Sequence, residues 1–181
     1  MIKLATELAA RYGSRGWHNQ RPDLASVQID LSRLHDALAW LKDNMGYTHL
    51  SFMTAIDNIE RGVFTLTYTL RNHAWNDGKG HSLMIHADVD RSKPEVDSIH
   101  RLWGQAWTYQ REMKEWYGID FPGSPRVDEE FVLEGWEGPP MMRRDFDSLA
   151  YSDATYAERP GRVSHDPETY MKEKLYPEAE A

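Results

Sequence analysis

The chain has 181 residues, of which 40% are hydrophobic and 28% are charged, and its formal net charge at pH 7 is −8. This size suits one folded domain with an appendage, and the negative charge argues against nucleic acid or an anionic membrane surface as a direct partner. The absence of cysteine excludes disulfides, thiolate nucleophiles and cysteine-ligated iron–sulfur clusters. No apolar run reaches the ~20 residues that a membrane span needs, and we expect no signal peptide.

The N-terminal part of the chain predicts a helix, a loop and a short strand. Apolar residues recur at helical spacing over residues 2–12, and Gly13 ends that run. Residues 13–23 are rich in Gly, Ser, Asn, Gln and Pro, a composition that predicts a loop. Val27 and Ile29 predict a short strand after it.

A second helix follows this strand. Asp30 or Ser32 is suited to cap its N-terminus, and Gly46 is suited to end it. One apolar face is formed by Leu34, Leu38, Leu41 and Met45. This spacing predicts a helix that packs on a core through one side.

Three strands are predicted in the middle of the chain. Residues 47–56 are strand-like, and residues 63–70 alternate strictly between large apolar side chains and Val or Thr. Residues 76–80 have turn chemistry, and alternation resumes over residues 83–89. The segment 63–89 therefore predicts a β-hairpin.

A third helix is predicted to begin at Pro94, since proline is favoured in a first helical turn, and to end at Gly118. The order of helix, strand, helix, three strands and helix indicates an α+β fold. We expect its helices to pack on one face of a small mixed or antiparallel sheet.

The pattern changes after residue 121. Seven of the nine prolines lie at or beyond Pro122, and no helical or strand period continues from residue 122 to 165. We predict an α+β domain over residues 1–121 and an extended, partner-wrapping C-terminal arm and tail over residues 122–181. The tail from residue 165 to 181 has the composition of a disordered segment.

Motifs of catalysis are missing from the sequence. His81 and His86 are five residues apart on a predicted strand and face opposite sides, so they do not form a metal site. No nucleophile elbow, P-loop or dinucleotide fingerprint is present. Three hypotheses remain open from the pattern: a structural subunit of a larger complex, a small enzyme using Asp, Glu and His acid–base chemistry, and a soluble binding module with an acidic tail.

Two segments, residues 109–121 and 136–146, carry an unusual density of charged and aromatic residues. The first is a predicted helix end with charges on one face and aromatic rings on the other. By pattern alone, Arg111 and Glu115 form an ordinary surface pair one helical turn apart.

The second segment places Arg143, Arg144 and Asp145 between apolar residues in an extended stretch. Guanidinium groups in such a stretch can bridge to carboxylates or carbonyl groups of a neighbour. We predict that at least one of these arginines forms a desolvated ion pair with a carboxylate of a partner or of this chain. Within the chain, Glu112 or Glu115 is the expected acceptor.

The two segments resemble the signature of the 30 kDa subunit family of respiratory complex I. That signature is a Glu-Arg-Glu-x-x-Asp-x-Phe-Gly-Ile helix end, then Gly-His-Pro, then Gly-His-Pro-x-Arg-Lys-Asp-Phe. The strand over residues 50–57 also looks like a strand of the family, and the likeness extends over about residues 25–147. The positions that correspond to this signature, and that we expect at an interface, are Gln110, Arg111, Glu112, Glu115, Tyr117, Gly118, Gly138, Pro140, Arg143, Arg144 and Asp145.

The sequence departs from this signature at several positions. Gln110 stands in place of the first glutamate, Ser124 and Pro139 stand in place of the two histidines, and one extra residue lies around Met141-Met142. The same subunit type occurs in relatives of complex I, the membrane-bound energy-converting nickel–iron hydrogenases. Because of these departures we prefer the hydrogenase type over the quinone-reducing type, the NADH-quinone oxidoreductase, by a small margin.

The resemblance implies a non-catalytic, cofactor-free subunit of an oxidoreductase complex. Such a subunit packs against the large subunit that carries the nickel–iron or quinone site and against a neighbouring iron–sulfur subunit, so the clusters are expected on those partners. The hetero-oligomer lies at the cytoplasmic face of the cell membrane and couples electron transfer to ion translocation. In the family these partners, and not this chain, contribute the redox centres.

Overall fold

The computed structural model describes residues 2–156. Its strands are β1 (Arg15–Arg21), β2 (Leu24–Gln28), β3 (His49–Asn58), β4 (Val63–Asn72) and β5 (His81–Asp90). Its helices are α1 (Ile2–Tyr12), α2 (Leu31–Met45), α3 (Trp75–Gly78), α4 (Ala106–Tyr117) and α5 (Ser148–Thr155), with a 3-10 turn over Ile59–Arg61. The chain divides into two compact units, one that ends at Asp145 and one that begins at Phe146.

The five strands form one sheet in the order β1-β2-β5-β4-β3. The pair β2–β5 is parallel and the other pairs are antiparallel, so the sheet is mixed. The predicted hairpin corresponds to β4 and β5, which pair along their full length from Val63–Asp90 to Asn72–His81. The α+β prediction, with helices packed beside a small mixed sheet, is confirmed.

The core lies against one face of this sheet. β4 contributes Phe64, Leu66, Tyr68 and Leu70 to it, and β5 contributes Leu83, Ile85, Ala87 and Val89. The helices α1 and α2 bury Leu4, Leu8, Leu34, Leu38 and Leu41 in the same cluster. The alternation of the strands and the spacing of the helical residues therefore converge on a single core.

The predicted ends of the long helices are confirmed. Gly46 ends α2 and Gly118 ends α4, each with φ of 71°, the left-handed conformation that glycine adopts without steric cost. Asp30 occupies the N-cap position of α2, but its side chain makes no capping hydrogen bond. Its carboxylate instead pairs with Arg15 at 3.0 Å.

The prediction of a loop over residues 13–23 is wrong, because residues Arg15–Arg21 form strand β1. This strand pairs with β2 at the edge of the sheet. Its side chains are exposed apart from Trp17, which packs partly buried against the core, so the sequence shows no apolar alternation there. Strand β1 is formed by backbone hydrogen bonds to β2, and these cannot be inferred from the amino-acid composition of residues 13–23.

The helix that was predicted to begin at Pro94 begins instead at Ala106. Residues 94–96 are held by the backbone of Asp120, which donates to the carbonyl oxygen of Pro94 at 2.8 Å and accepts from the amide of Val96 at 3.0 Å. A backbone used in this way cannot enter an α-helix. The apolar residues between Pro94 and Ala106, among them Ile99 and Trp103, lie in turns and are buried there without forming a helix.

Residues 122–147 form turns and bends without a helix or strand, whereas α5 follows at once with Asp147 as its N-cap. The Asp147 side chain accepts from the amides of Leu149 and Ala150. The sequence pattern showed no sign of this helix, which is short and has no buried residue. The division at residue 121 and a partner-wrapping role for the arm stay predictions, and the tail from 165 to 181 lies outside the described residues.

The free edge of β3 is covered by side chains from α4 and from the segment before it. The Trp103 indole donates to the carbonyl oxygen of Thr48 at 3.1 Å, and the Tyr109 hydroxyl donates to that of Ser51 at 3.3 Å. Such covering blocks the unpaired backbone groups that an edge strand exposes. Among residues 2–156, no helix has the length and apolar character needed to cross a membrane.

A buried polar pair lies inside the fold where α2 ends. The Tyr47 hydroxyl and His81 Nδ1 are 2.7 Å apart, and both side chains are fully buried. Burial lowers the pKa of His81 below its ordinary value of 6.5 and raises the pKa of Tyr47. The folded protein therefore holds His81 neutral at a pH where the unfolded chain binds a proton.

We predict that the free energy of unfolding falls as pH drops below 6.5, the ordinary pKa of histidine. The slope from one such group is at most about 1.4 kcal/mol per pH unit. His81→Gln, which does not titrate, should show a shallower slope between pH 7 and 5 in urea unfolding. Part of the slope should persist, because burial also lowers the pKa of His86. Equal slopes for the two proteins would contradict the assignment.

Candidate functional site

The two charged and aromatic segments of the sequence meet in space at the C-terminal end of α4. The amide of Met142 donates to the carbonyl oxygen of Trp116 at 3.0 Å, and Arg143 Nε donates to that of Tyr117 at 2.7 Å. We call this place the motif junction, formed by residues 116–118 and residues 138–145. Both hydrogen bonds use carbonyl groups that the last turn of a helix leaves free.

Gly118 suits the motif junction in two ways: its φ is positive, and the space beside its Cα is filled by the arm. A Cβ atom at this position would lie 2.9 Å from Arg143 Nη2 and 3.1 Å from Pro140 Cγ. The arm thus packs directly on the backbone of the glycine. Gly138 begins this stretch, and the carbonyl oxygen of Pro139 accepts from the Trp136 indole at 3.1 Å.

Phe64 of β4 forms the floor of the motif junction. The guanidinium groups of Arg143 and Arg91 lie 5.3 and 5.6 Å from the centre of its ring, within the range of cation–π attraction. The Tyr117 ring meets Phe64 edge-on, with 5.9 Å between the ring centres. One buried ring therefore contacts side chains from α4, from the end of β5 and from the arm.

Asp57, near the end of β3, lies beside this ring and is the most buried carboxylate of the junction. It accepts from Arg91 at 2.9 and 3.1 Å and from the backbone amide of Arg144 at 2.9 Å. Burial alone would raise the pKa of Asp57, but these hydrogen bonds and the charge of Arg91 outweigh it and keep the pKa below its usual value. Arg91 also donates to Asp145 at 2.6 Å.

The arm arginines differ in their contacts. The side chain of Arg144 pairs with Glu60 at 2.6 Å, and both groups are more than half exposed. Arg143 donates to a backbone carbonyl group and lies over Phe64. Within residues 2–156 the desolvated ion pair is Arg91–Asp57, with side-chain exposures of 16% and 2%, and no ion pair joins Arg143 or Arg144 to Glu112 or Glu115 there. An ion pair with a carboxylate of a partner stays a prediction.

Another side of α4 holds the preceding part of the arm. The Glu115 carboxylate accepts from the backbone amides of Phe131, Val132 and Leu133 at 2.7 to 3.1 Å. Arg111 donates to the carbonyl oxygens of residues 129 and 130. The expected surface ion pair between Arg111 and Glu115 is therefore not formed, and each of the two side chains binds the arm separately. Arg111 also lies against the Phe131 ring at 5.5 Å.

Gln110 lies on the buried side of α4 and joins two other polar residues. Its Oε1 accepts from Ser98 Oγ at 2.7 Å and from Ser124 Oγ at 2.6 Å. The two departures from the family signature at positions 110 and 124 are thus in direct contact. Both residues are neutral and buried, so this pair is internal to the fold.

Glu112 is half-buried on the remaining side of α4. Burial, and then the charge of Glu115, raise the pKa of Glu112. Within the described part of the chain, no cluster of three or more His, Asp or Glu residues is arranged to hold a metal ion. The contacts of the motif junction attach the arm to the rest of the fold. They use the buried carboxylate of Asp57, the ring of Phe64 and several backbone groups.

Asp57, Glu60, Phe64 and Arg91 were not predicted as site residues. Asp57 and Phe64 lie in strands that resemble the family, yet their alternation marked them only as sheet residues. Arg91 follows β5 directly after Asp90 among other charged residues, and its sequence context carries no signal. Only the fold brings these residues to the arm.

The profile of the family described as "Respiratory-chain NADH dehydrogenase, 30 Kd subunit" matches residues 27–152, more than half of the chain. This chain belongs to that family. The resemblance found in the two sequence segments is therefore confirmed, and the matched range includes the whole motif junction.

Relatives in the 30 kDa subunit family include the C subunits of several bacterial NADH-quinone oxidoreductases. The protein from Novosphingobium aromaticivorans is 29% identical over 136 residues, which cover 75% of this chain and 42% of that protein. The protein from Roseiflexus castenholzii is 30% identical over 150 residues, which cover 77% of this chain and 83% of that protein. A third, from Erythrobacter litoralis, is matched over 54% of its length, so the chain spans about half of some relatives.

Two solved structures share the fold. A chain of the membrane-bound sulfane sulfur reductase, an archaeal respiratory membrane complex, superposes with a TM-score of 0.71 over 90% of this chain and 98% of its own length, at 20% identity. The trypsin-resistant fragment of Nqo5 superposes with a TM-score of 0.59 over 68% of this chain and 96% of its own length, at 24% identity.

We predict that Gly118→Ala destabilises the protein more than Gly13→Ala does. Both glycines follow a helix and have positive φ, 71° and 63°, so both variants carry the strain of a left-handed alanine. At Gly13 nothing lies within 4 Å of the added Cβ, whereas at Gly118 Arg143 and Pro140 must move. We expect an extra loss of about 1 kcal/mol or more in urea unfolding. Equal losses would contradict close packing of the arm.

We also predict unequal effects from the two ion pairs of the junction. Asp57→Asn removes the buried negative charge that balances Arg91 and leaves the half-exposed Asp145 as its anionic partner, so it should reduce the free energy of unfolding by on the order of 3 kcal/mol. The matched variant Glu60→Gln removes an exposed partner of Arg144 and should change stability little. Both are measured by urea unfolding of the full chain. Similar losses for the two variants would show that Asp57 is not the principal contact.

Proposed function

We propose that this protein is a non-catalytic, cofactor-free subunit of a complex-I-like membrane-bound redox complex. The observation that carries the proposal is the family match over residues 27–152, which spans both the sheet and the motif junction. In this role the protein packs against the large subunit that carries the quinone or nickel–iron site, and against a neighbouring iron–sulfur subunit. The complex lies at the cytoplasmic face of the cell membrane and couples electron transfer to ion translocation.

Two observations on the side chains of this chain support a non-catalytic role in our proposal. The chain has no cysteine, so it cannot supply thiolate ligands to an iron–sulfur cluster. The most buried carboxylate of the junction, Asp57, is held ionised by Arg91 and the backbone of Arg144 rather than poised to exchange protons. We therefore assign the redox centres to the partner subunits.

Two types of complex fit this role. The names of the relatives in Novosphingobium and Roseiflexus support the 30 kDa subunit of an NADH-quinone oxidoreductase. The neutral pair Gln110–Ser124, in place of a glutamate and a histidine, supports a divergent type, for which we keep a small preference for an energy-converting nickel–iron hydrogenase. The fold neighbour in the sulfane sulfur reductase is compatible with either type.

Purification of the complex through an affinity tag on this chain tests the proposal. We expect the tagged chain to bring down a large subunit and iron–sulfur subunits from detergent-solubilised membranes, with iron in the complex and none in the isolated chain. Nickel in the complex would identify the hydrogenase type, and its absence with quinone reductase activity would identify the NADH-quinone oxidoreductase type. Stoichiometric iron, nickel or zinc in the isolated chain, or recovery of the chain alone, would contradict the proposal.

A further inference from the structure

Helix α4 has three sides, two of which are occupied by this chain. The core side buries Ala106, Gln110 and Met113. The arm side carries Arg111, Lys114 and Glu115, and each of these charged residues binds a group between residues 120 and 133. The third side carries Tyr109, Glu112 and Trp116, spaced three and four residues apart, so that they are neighbours along the helix surface.

Two polar groups of the third side, the Glu112 carboxylate and the Trp116 indole N–H, lack partners within residues 2–156. Within residues 2–156, neither the Glu112 carboxylate nor the Trp116 indole N–H takes part in a hydrogen bond or ion pair, although both residues are half-buried. Every other charged residue of α4 is paired. Burial also raises the pKa of Glu112, which reports that its charged form is poorly solvated.

The third side continues onto the outer face of β3. The Tyr109 ring meets Phe52 edge-on with 5.8 Å between ring centres, and its hydroxyl donates to the carbonyl oxygen of Ser51. Phe52 and Ile56 point to the same face of the strand and are 49% and 53% exposed, among the largest apolar exposures described. We call the combined area, Phe52, Ile56, Tyr109, Glu112 and Trp116, the α4–β3 surface.

We propose that the α4–β3 surface binds a segment of a partner protein that inserts a cationic side chain, an arginine, against Glu112. Apolar neighbours of that arginine cover Phe52 and Ile56. The inference rests on the proposed function, because the partner is a protein subunit of the same complex. It adds to the proposed function the chemistry of one contact between the two subunits. The arginine lies between the rings of Tyr109 and Trp116.

The physical argument is charge complementarity in an apolar setting. A carboxylate that is already partly buried is costly to cover with a neutral surface, since its charge would be left buried and unpaired. A guanidinium group removes that cost through a charge-assisted hydrogen bond, and aromatic rings on both sides of Glu112 add cation–π attraction. Aromatic residues next to arginine are the composition that interface hot spots favour.

The test compares charge variants of the full chain in the purified complex. Four tagged versions of the chain are expressed in the native host: wild type, Glu112→Lys, Glu112→Gln and Asp43→Lys. The last is the control, because Asp43 is an exposed carboxylate of α2. The amount of large subunit recovered per tagged chain is measured from solubilised membranes. We expect Glu112→Lys to lower this ratio at least about tenfold, Glu112→Gln to lower it less, and Asp43→Lys to leave it unchanged.

A photo-crosslinking amino acid at Phe52, with one at exposed Arg33 of α2 as the control, identifies what covers the surface. We expect mass spectrometry to find a crosslinked peptide of a partner subunit that contains arginine beside apolar residues. Replacing that arginine by glutamate should restore the recovery of Glu112→Lys. Thermal unfolding of each isolated variant checks its fold, and if Glu112→Lys does not fold, Glu112→Gln and the crosslink decide.

The outcomes separate the two proposals. Wild type recovered without any large subunit would overturn the proposed function. Wild type recovered in the complex, together with Glu112→Lys at the full ratio, would overturn the inference alone. Crosslinks from Phe52 only to lipid, to a second copy of this chain, or to a peptide without a cationic residue would also overturn it.

Discussion

The buried carboxylate of Asp57 holds three separate parts of the chain together. It lies in β3, its main donor Arg91 follows β5, and its third hydrogen bond comes from the backbone of Arg144 in the arm. A carboxylate that is 2% exposed cannot stay charged without such donors. The path of the arm across the end of the sheet is therefore constrained by the need to satisfy this one group.

Two central polar clusters of the fold solve the same problem in different ways. At Asp57 the buried group is charged, and it is balanced by the guanidinium group of Arg91. At Gln110 the buried group is neutral and is shared by two serine hydroxyls. Position 110 is where the family signature has a glutamate, so the neutral pair removes an ionisable group from the interior beside α4.

The sequence predicted the elements whose side chains alternate or recur, and missed those built by the backbone. Periodicity marked α2, β4 and β5, and Gly46 and Gly118 marked helix ends through their conformational freedom. β1 was missed because pairing at an edge demands no apolar face, and the start of α4 was placed too early because residues 94–96 bond to Asp120. The motif residues were identified by resemblance, but the meeting of Tyr117 and Arg143 at the Phe64 ring depends on contacts between segments far apart in sequence.

The attachment of the arm at Glu115 has a consequence for how this sequence can vary. The carboxylate binds three consecutive backbone amides, and Arg111 binds the two carbonyl groups before them, so these hydrogen bonds do not depend on which side chains residues 129–133 carry. The Phe131 ring adds a side-chain contact to Arg111. Almost any residue can stand at the three amide positions except proline, which has no amide hydrogen to donate. The outward surface of this stretch, including Val132, is thus free to diverge and to acquire new specificity while its position on α4 is preserved.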